Sequence, residues 1–205
     1  MAVLETHIFK AHNNIYIEQP EENYRTREIR TEMVFPDCVN ENTGMLVLIP
    51  GYGGNIDSHV FRKMREVFAE QYNLITVQCD YFGNKFMDAK QPKEMKLIAT
   101  MENIVNAEIY YKVEDFETVE GFNDMGIMQA IDIVSSTIWA IYEIIRKGYI
   151  FNTNKIILFG TSHGAYLAHL ANIICPTLYT VLIDVSSYIK PYYMKQARNL
   201  TLQAE

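Results

Sequence analysis

KIILFGTSHGAYLAHLANII, residues 155–174, reads as a buried strand, one sharp turn and a helix. Lys155 to Phe159 is a short run rich in isoleucine, the composition of a strand covered on both faces in a parallel sheet. It leads directly into Gly160-Thr161-Ser162-His163-Gly164. Past that turn, Ala165, Leu167, Ala168, Leu170, Ala171 and Ile174 recur at helical spacing, with small residues on the first turn. A serine held on a tight strand-to-helix turn needs glycine on either side, because a Cβ there would meet the neighbouring strand or helix. The pattern predicts that the Ser162 hydroxyl stands at the top of a sheet as a candidate nucleophile. The amide of His163 would then sit at a helix N-terminus, facing a developing oxyanion. A plain βα turn of small residues, there for close packing, is the other reading of the same five positions.

A second stretch bears on that choice. MLVLIPGYGG, residues 45–54, is another apolar strand that ends in a glycine-rich loop. In a hydrolase with a nucleophile elbow, the second oxyanion amide comes from the loop after the third strand, where glycine lets backbone approach a substrate carbonyl. The two stretches occur in the expected order. With PGYGGN, FNDMGIMQAIDI and LFGTSHGAYLA, the chain resembles the α/β-hydrolase superfamily from about residue 7 to 189, and most closely an uncharacterised bacterial family of hydrolase-like proteins. That resemblance implies Ser162 as nucleophile, His163 as the first oxyanion amide and Tyr52 as the second, with Gly51 and Gly53 shaping the loop. Many relatives have His-Gly where this chain has Pro50-Gly51, so the loop departs from the common pattern.

Length and charge limit the remaining possibilities. The 205 residues, 49% of them hydrophobic, suffice for one substantial domain. A net charge of −7 with no basic cluster argues against nucleic-acid binding. Cys38, Cys79 and Cys175 are isolated beside apolar segments, which suggests buried free thiols and a reducing, cytoplasmic setting. No metal-ligand spacing occurs, and the chemistry implied by the resemblance needs no metal or cofactor. MAVLETHIFKAHNN lacks the basic start and apolar core of a signal peptide. The apolar region 127–145 is interrupted by Asp132 and Glu143, as suits a core helix rather than a membrane span.

Along the chain, 7–18 and 27–35 alternate apolar and polar residues, as half-exposed edge strands do. His7 and His12 lie there and read as surface residues. After the glycine loop, Asp57 or Ser58 can cap a helix with an apolar stripe at Val60, Phe61, Met64, Val67 and Phe68. His59, at its start, reads as a surface or supporting histidine, with a catalytic role as the alternative. LITVQC, 74–79, is a buried strand, and Asp80 and Tyr81 at its C-terminal end are expected to line the pocket. Residues 84–120 are too long for a simple connection and suggest a lid or substrate-binding insertion, or else a cover for the sheet. Asn123 or Asp124 would cap a long helix with a stripe at Ile127, Ile131, Val134, Ile138, Ile141 and Ile145, and Trp139 would belong to the core.

LYTVLID, 178–184, is the last expected strand. It brings Asp184 to the catalytic end as a candidate triad acid, or as a helix cap or pocket-wall carboxylate. A serine needs a base, and in this superfamily the order is Ser, acid, His. After Ser162 the sequence holds only His163, on the elbow itself, and His169, on the following helix. Three explanations compete: an N-terminal part of a longer hydrolase lacking the last strands and the catalytic histidine, a short form that recruits its base from His59 or a partner chain, and a scaffold that binds without turnover. An apolar sheet edge at 178–184 would need cover, for example by homodimerisation.

The expectation is therefore a three-layer α/β-hydrolase-like domain with a mostly parallel sheet of about six strands, incomplete at its C-terminal side. Its substrate would be a small ester or thioester.

Overall fold

The computed structural model describes residues 2–16, 27–84 and 124–187. Six strands and three helices alternate in it: β1 (Val3–Ala11), β2 (Arg27–Phe35), β3 (Gly44–Ile49), α1 (His59–Tyr72), β4 (Leu74–Cys79), α2 (Ile127–Arg146), β5 (Ile156–Thr161), α3 (His163–Ile174) and β6 (Val181–Val185). The sheet order is β1-β2-β4-β3-β5-β6. β1, β2 and β4 pair antiparallel in turn, while β4, β3, β5 and β6 run parallel. The sheet is thus a parallel body with an antiparallel edge, as the alternation at the N-terminus and the apolar runs of β3, β4 and β5 indicated. The chain leaves β3 for β4 on one side and then crosses back to β5 on the other. This puts a topological switch point at the carboxyl ends of β3 and β5, where open α/β sheets bind ligands. The insertion expected at 84–120 lies outside the described residues but for Asn84.

The core has two faces. Ile29, Met33, Val47, Ile75, Val77 and Leu158 pack under α2 and α3 against Ala130, Ile133, Leu167 and Ala168. On the opposite face Leu46, Leu48 and Leu74 meet Met64 and Phe68 of α1. These are the three expected layers.

The α2 helix is rotated in part from its expected facing, with Val134 in the core and Ile141 packed against it. On α2 the fully buried positions include Ala130, Asp132, Ser136, Thr137 and Ala140, while Ile127, Ile138 and Ile145 of the expected stripe are 42%, 51% and 58% exposed. Small residues let the helix approach the sheet closely. Inside that contact Asp132 takes an ion pair from Arg27 and accepts the Phe82 amide at 2.7 Å. Ile131, Val134 and Ile138, with Phe9, Trp139 and Ile174, wall a surface groove of about 650 Å³. Trp139 is half-buried there, stacked on Phe9 at 5.1 Å between centroids. By length and hydropathy α2 could cross a membrane, but 56% of that span is buried against the protein. Its cap also differs: Gly126 holds the N-cap position in a left-handed conformation, and Asp124 reaches past it to accept the Met128 amide at 2.6 Å.

The α1 helix keeps its expected facing through Met64 and Phe68, with Arg65 and Ala69 fully buried beside them, and only Val60 of the stripe turns out, 67% exposed. Ser58 occupies the N-cap, but its hydroxyl is turned back to Asn55 instead of capping the helix. Cys38 is exposed, contrary to the expected burial, since it lies on the turn between β2 and β3. Cys79 is buried, and burial pushes its thiol up to about 12. The last strand begins at Val181, three residues later than expected, because Tyr179 turns inward to meet the Thr137 hydroxyl at 3.2 Å. β6 forms the edge of the described sheet, with Val181, Ile183 and Val185 exposed.

Candidate active site

Ser162 has φ 54° and ψ −119°, a conformation that L-residues other than glycine seldom hold. The strand before it and the helix after it fix this geometry. Its amide donates to the Val185 carbonyl at 2.8 Å, continuing the β5–β6 ladder, and its carbonyl accepts from Ala165 at 3.0 Å, opening α3. The flanking glycines have no room for a side chain. A Cβ on Gly160 would come within 2.4 Å of the Ala165 Cα, and one on Gly164 within 2.1 Å of the Ile49 carbonyl oxygen. The turn thus has the strand-to-helix geometry that a nucleophile elbow requires. The first amides of α3, including that of His163, have no acceptor within their own helix and form the positive end of its dipole.

The glycine loop after β3 abuts this elbow. A Cβ on Gly51 would lie 3.1 Å from the Thr161 carbonyl oxygen and 3.2 Å from the Ser162 Cβ. Gly53 takes a positive φ of 77°, and the Tyr52 ring stands edge-on to the His163 ring at 6.4 Å. Gly51, Tyr52, Ser162 and His163 are therefore brought together. Asp80 and Tyr81 instead buttress the loop from behind. Tyr81 is buried and donates its hydroxyl to the Pro50 carbonyl at 3.1 Å, so it does not line an open pocket. Asp80 accepts from Arg30 at 2.8 Å, and Arg30 also grips Asp57 at the far end of the loop. Below them the buried Arg65 donates to the Ile56 carbonyl at 3.0 Å and pairs with Glu32 and Gln78. Sequence periodicity passed over this support, since an arginine in an amphipathic helix ordinarily reads as solvated.

The five histidines of the chain all fall within the described residues. The His163 imidazole is buried and meets the Gln129 side-chain oxygen at 2.8 Å, and burial pushes its pKa down to about 4. It is neutral at physiological pH. His169, on α3, contacts Asp184 at 2.9 Å, and this partner holds the Asp184 carboxyl below its usual range. Asp184 stands beside Gly160 in the β5–β6 register, but its side chain turns to the α3 face, where its other oxygen accepts the Ser187 amide at 2.8 Å. His7 pairs with Glu5, and His59 is exposed on α1 beside Val60, Met64 and Phe68. Among the described residues no group of three or more metal-ligating side chains is arranged to hold an ion.

The backbone strain at Ser162 yields a direct prediction. Glycine accepts this φ and ψ freely, whereas alanine keeps the strain. Ser162→Gly is expected to be more stable than Ser162→Ala by roughly 1 kcal/mol, after allowing for the greater freedom of glycine in the unfolded chain. Thermal melts of the two variants measure the difference, and equal melting temperatures would mean an unstrained turn.

By sequence, no curated protein matches the chain. Solved structures match over most of its length at low identity. An esterase from Rhizomucor miehei aligns at 12% identity and a TM-score of 0.55, over 96% of this chain and 47% of its own. The α/β hydrolase GrgF from a Penicillium species aligns at 13% identity and 0.54, over 97% and 52%. Dienelactone hydrolase from Anabaena variabilis aligns at 15% identity and 0.51, over 88% and 62%. The chain thus spans about half the length of the first two of these structures. The α/β-hydrolase fold expected from the elbow and the glycine loop is the fold observed. A family model described as "Protein of unknown function (DUF2920)" matches residues 86–196, a stretch that includes α2, the elbow and β6. The chain belongs to that family, DUF2920, and is built on the α/β-hydrolase fold.

Proposed function

We propose that the chain carries the nucleophile and oxyanion elements of a serine hydrolase or acyltransferase acting on an ester or thioester. The observation that carries this reading is the strained Ser162 between two glycines that admit no side chain, with the Gly51 loop packed against it. A turn needed only for close packing has no reason to hold a non-glycine residue at φ 54° together with ψ −119°, outside the left-handed helical region. In the proposed reaction the Ser162 oxygen attacks the substrate carbonyl carbon, and the amides of His163 and Tyr52 receive the oxyanion. The alcohol or thiol then leaves, and water or an alcohol resolves the acyl-serine. The His163 imidazole is engaged with Gln129 and His169 stands on α3 paired with Asp184, so we assign the base to His59, to another chain or to further residues. Those same engagements favour the rival reading, a scaffold that binds acyl compounds without turnover. The isolated cysteines fit a reducing, cytoplasmic setting.

A fluorophosphonate probe separates the two readings. An adduct on Ser162, absent from Ser162→Ala, is the expected result. A labelling rate that levels off above about pH 7 identifies an imidazole base, and one that climbs about tenfold per pH unit identifies a serine deprotonated by hydroxide. A folded protein that stays unlabelled would favour the scaffold.

A further inference from the structure

We propose that Gln129 is a positioning residue for the oxyanion amide: by holding the His163 imidazole in one tautomer and one place, it fixes the peptide that joins Ser162 to α3. The proposal rests on the reading of Ser162 as nucleophile.

Gln129 and His163 are both buried, 2% and 5% exposed, on helices that otherwise meet through apolar contacts. Burying an imidazole and an amide is unfavourable unless their polar atoms are matched, and an aliphatic pair would pack there at less cost. Here the matching runs through a series of hydrogen bonds. The Gln129 Nε2 donates to the Phe82 carbonyl at 3.1 Å, which leaves its Oε1 as the acceptor for His163. His163 is therefore protonated on Nε2. Phe82 is held in turn, since its amide donates to Asp132 at 2.7 Å and its ring lies 5.5 Å from the Arg27 guanidinium. Two aromatic residues complete the enclosure. The Tyr52 ring is 6.4 Å from that of His163 on one side, and the Tyr166 ring is 6.0 Å away on another. Tyr166 is itself tied to the Met125 carbonyl at 2.8 Å, close to the start of α2.

The ψ angle of Ser162 sets the direction of the His163 N–H. A strained angle persists only where its surroundings over-determine it. The glycine contacts restrain the turn on the β3 side, and the His163 side chain restrains it on the α2 side. Without the Gln129 acceptor the imidazole can rotate, and the peptide can relax away from ψ −119°. The low pKa of His163 agrees with a ring kept neutral for this purpose.

The test uses Gln129→Leu and Gln129→Glu in the full chain. Nitrogen-15 spectra report the His163 tautomer and its backbone amide shift, and the fluorophosphonate rate reports Ser162. In the wild type a single Nε2–H tautomer that does not titrate above about pH 5 is expected. In Gln129→Leu the tautomer mixes, the His163 amide shift moves and labelling slows by about tenfold to a hundredfold. Gln129→Glu keeps an acceptor, so its amide shift stays near wild type, while His163 gains a titration in the neutral range that enters the labelling profile. An unmoved tautomer and amide shift in Gln129→Leu would overturn the proposal, as would a wild-type labelling rate in that variant. If the wild type itself is unlabelled, the nucleophile reading falls alone and the amide shifts still decide the role of Gln129. If the leucine variant fails to fold, an unchanged His163 titration in Gln129→Glu is the overturning result.

Discussion

Alanine at Gly164 is expected to destabilise the protein by about 3 kcal/mol or more, a large share of the ~5–15 kcal/mol that holds a domain of this size together. The added Cβ would lie 2.1 Å from the Ile49 carbonyl oxygen and 2.4 Å from that of Pro50. Both atoms are backbone at the end of β3, and β3 is hydrogen-bonded to β4 on one side and β5 on the other. Relief would require moving a central strand or pushing α3 off the sheet, and either loses packing over many residues. Gly148→Ala is the control. Gly148 has φ 79°, but a Cβ added there would meet nothing within 4 Å, so alanine carries only the backbone cost, about 1 kcal/mol. Urea unfolding of the two variants gives the comparison. Equal midpoints would show that the β3–elbow contact yields easily, and the account of Gly164 as a steric requirement would fail.

The same contact explains how much was legible in the sequence. Glycine at 160 and 164 around Ser162 is a signal about backbone clearance, and the clearance is what the fold imposes, so the elbow and its companion loop could be placed from residue types alone. β2 and β4 also came out at their expected ends, because their apolar patterns are bounded by turn residues. Helix facing was legible on α1, where Met64 and Phe68 meet the sheet, and only in part on α2. On α2 the hydrophobic stripe and the contact face share Val134 and part at Ile127, Ile138 and Ile145, since Ala130, Ser136 and Ala140 offer a closer approach than isoleucine would. Periodicity reports where apolar residues recur, and close packing selects small ones. Asp184 shows a third limit. Register brought it beside the elbow strand, but which face its carboxylate takes depends on a partner, His169, contributed by another element. Tyr81 behaves likewise, turned inward by the Pro50 carbonyl.

The support beneath the glycine loop after β3 was the least legible part, and it yields the sharper stability experiment. Arg65 is fully buried, with Glu32 and Gln78 as partners and the Ile56 carbonyl at 3.0 Å. Removing the cation alone, as in Arg65→Met, leaves Glu32, only 7% exposed, with its charge uncompensated, and is expected to cost about 3–5 kcal/mol. The cluster is not fully matched, however. Arg65 Nε and Gln78 Nε2 find no hydrogen-bond partner among the described residues. A partly satisfied polar cluster is a poor source of stability, so the triple variant Arg65→Met, Glu32→Leu, Gln78→Leu is expected to return to within about 1 kcal/mol of wild type or to exceed it. Thermal and urea unfolding of the single and triple variants measure the recovery. A triple variant as unstable as Arg65→Met would mean that the ion pair itself stabilises the fold. Recovered stability separates folding from function, because the triple variant has no donor left for the Ile56 carbonyl. Its Ser162 is then expected to react with the fluorophosphonate more slowly than wild type, by about tenfold, since small displacements of catalytic groups cost that much or more. An undiminished rate in a stable triple variant would show that Arg30 and Tyr81 hold the loop without help from below.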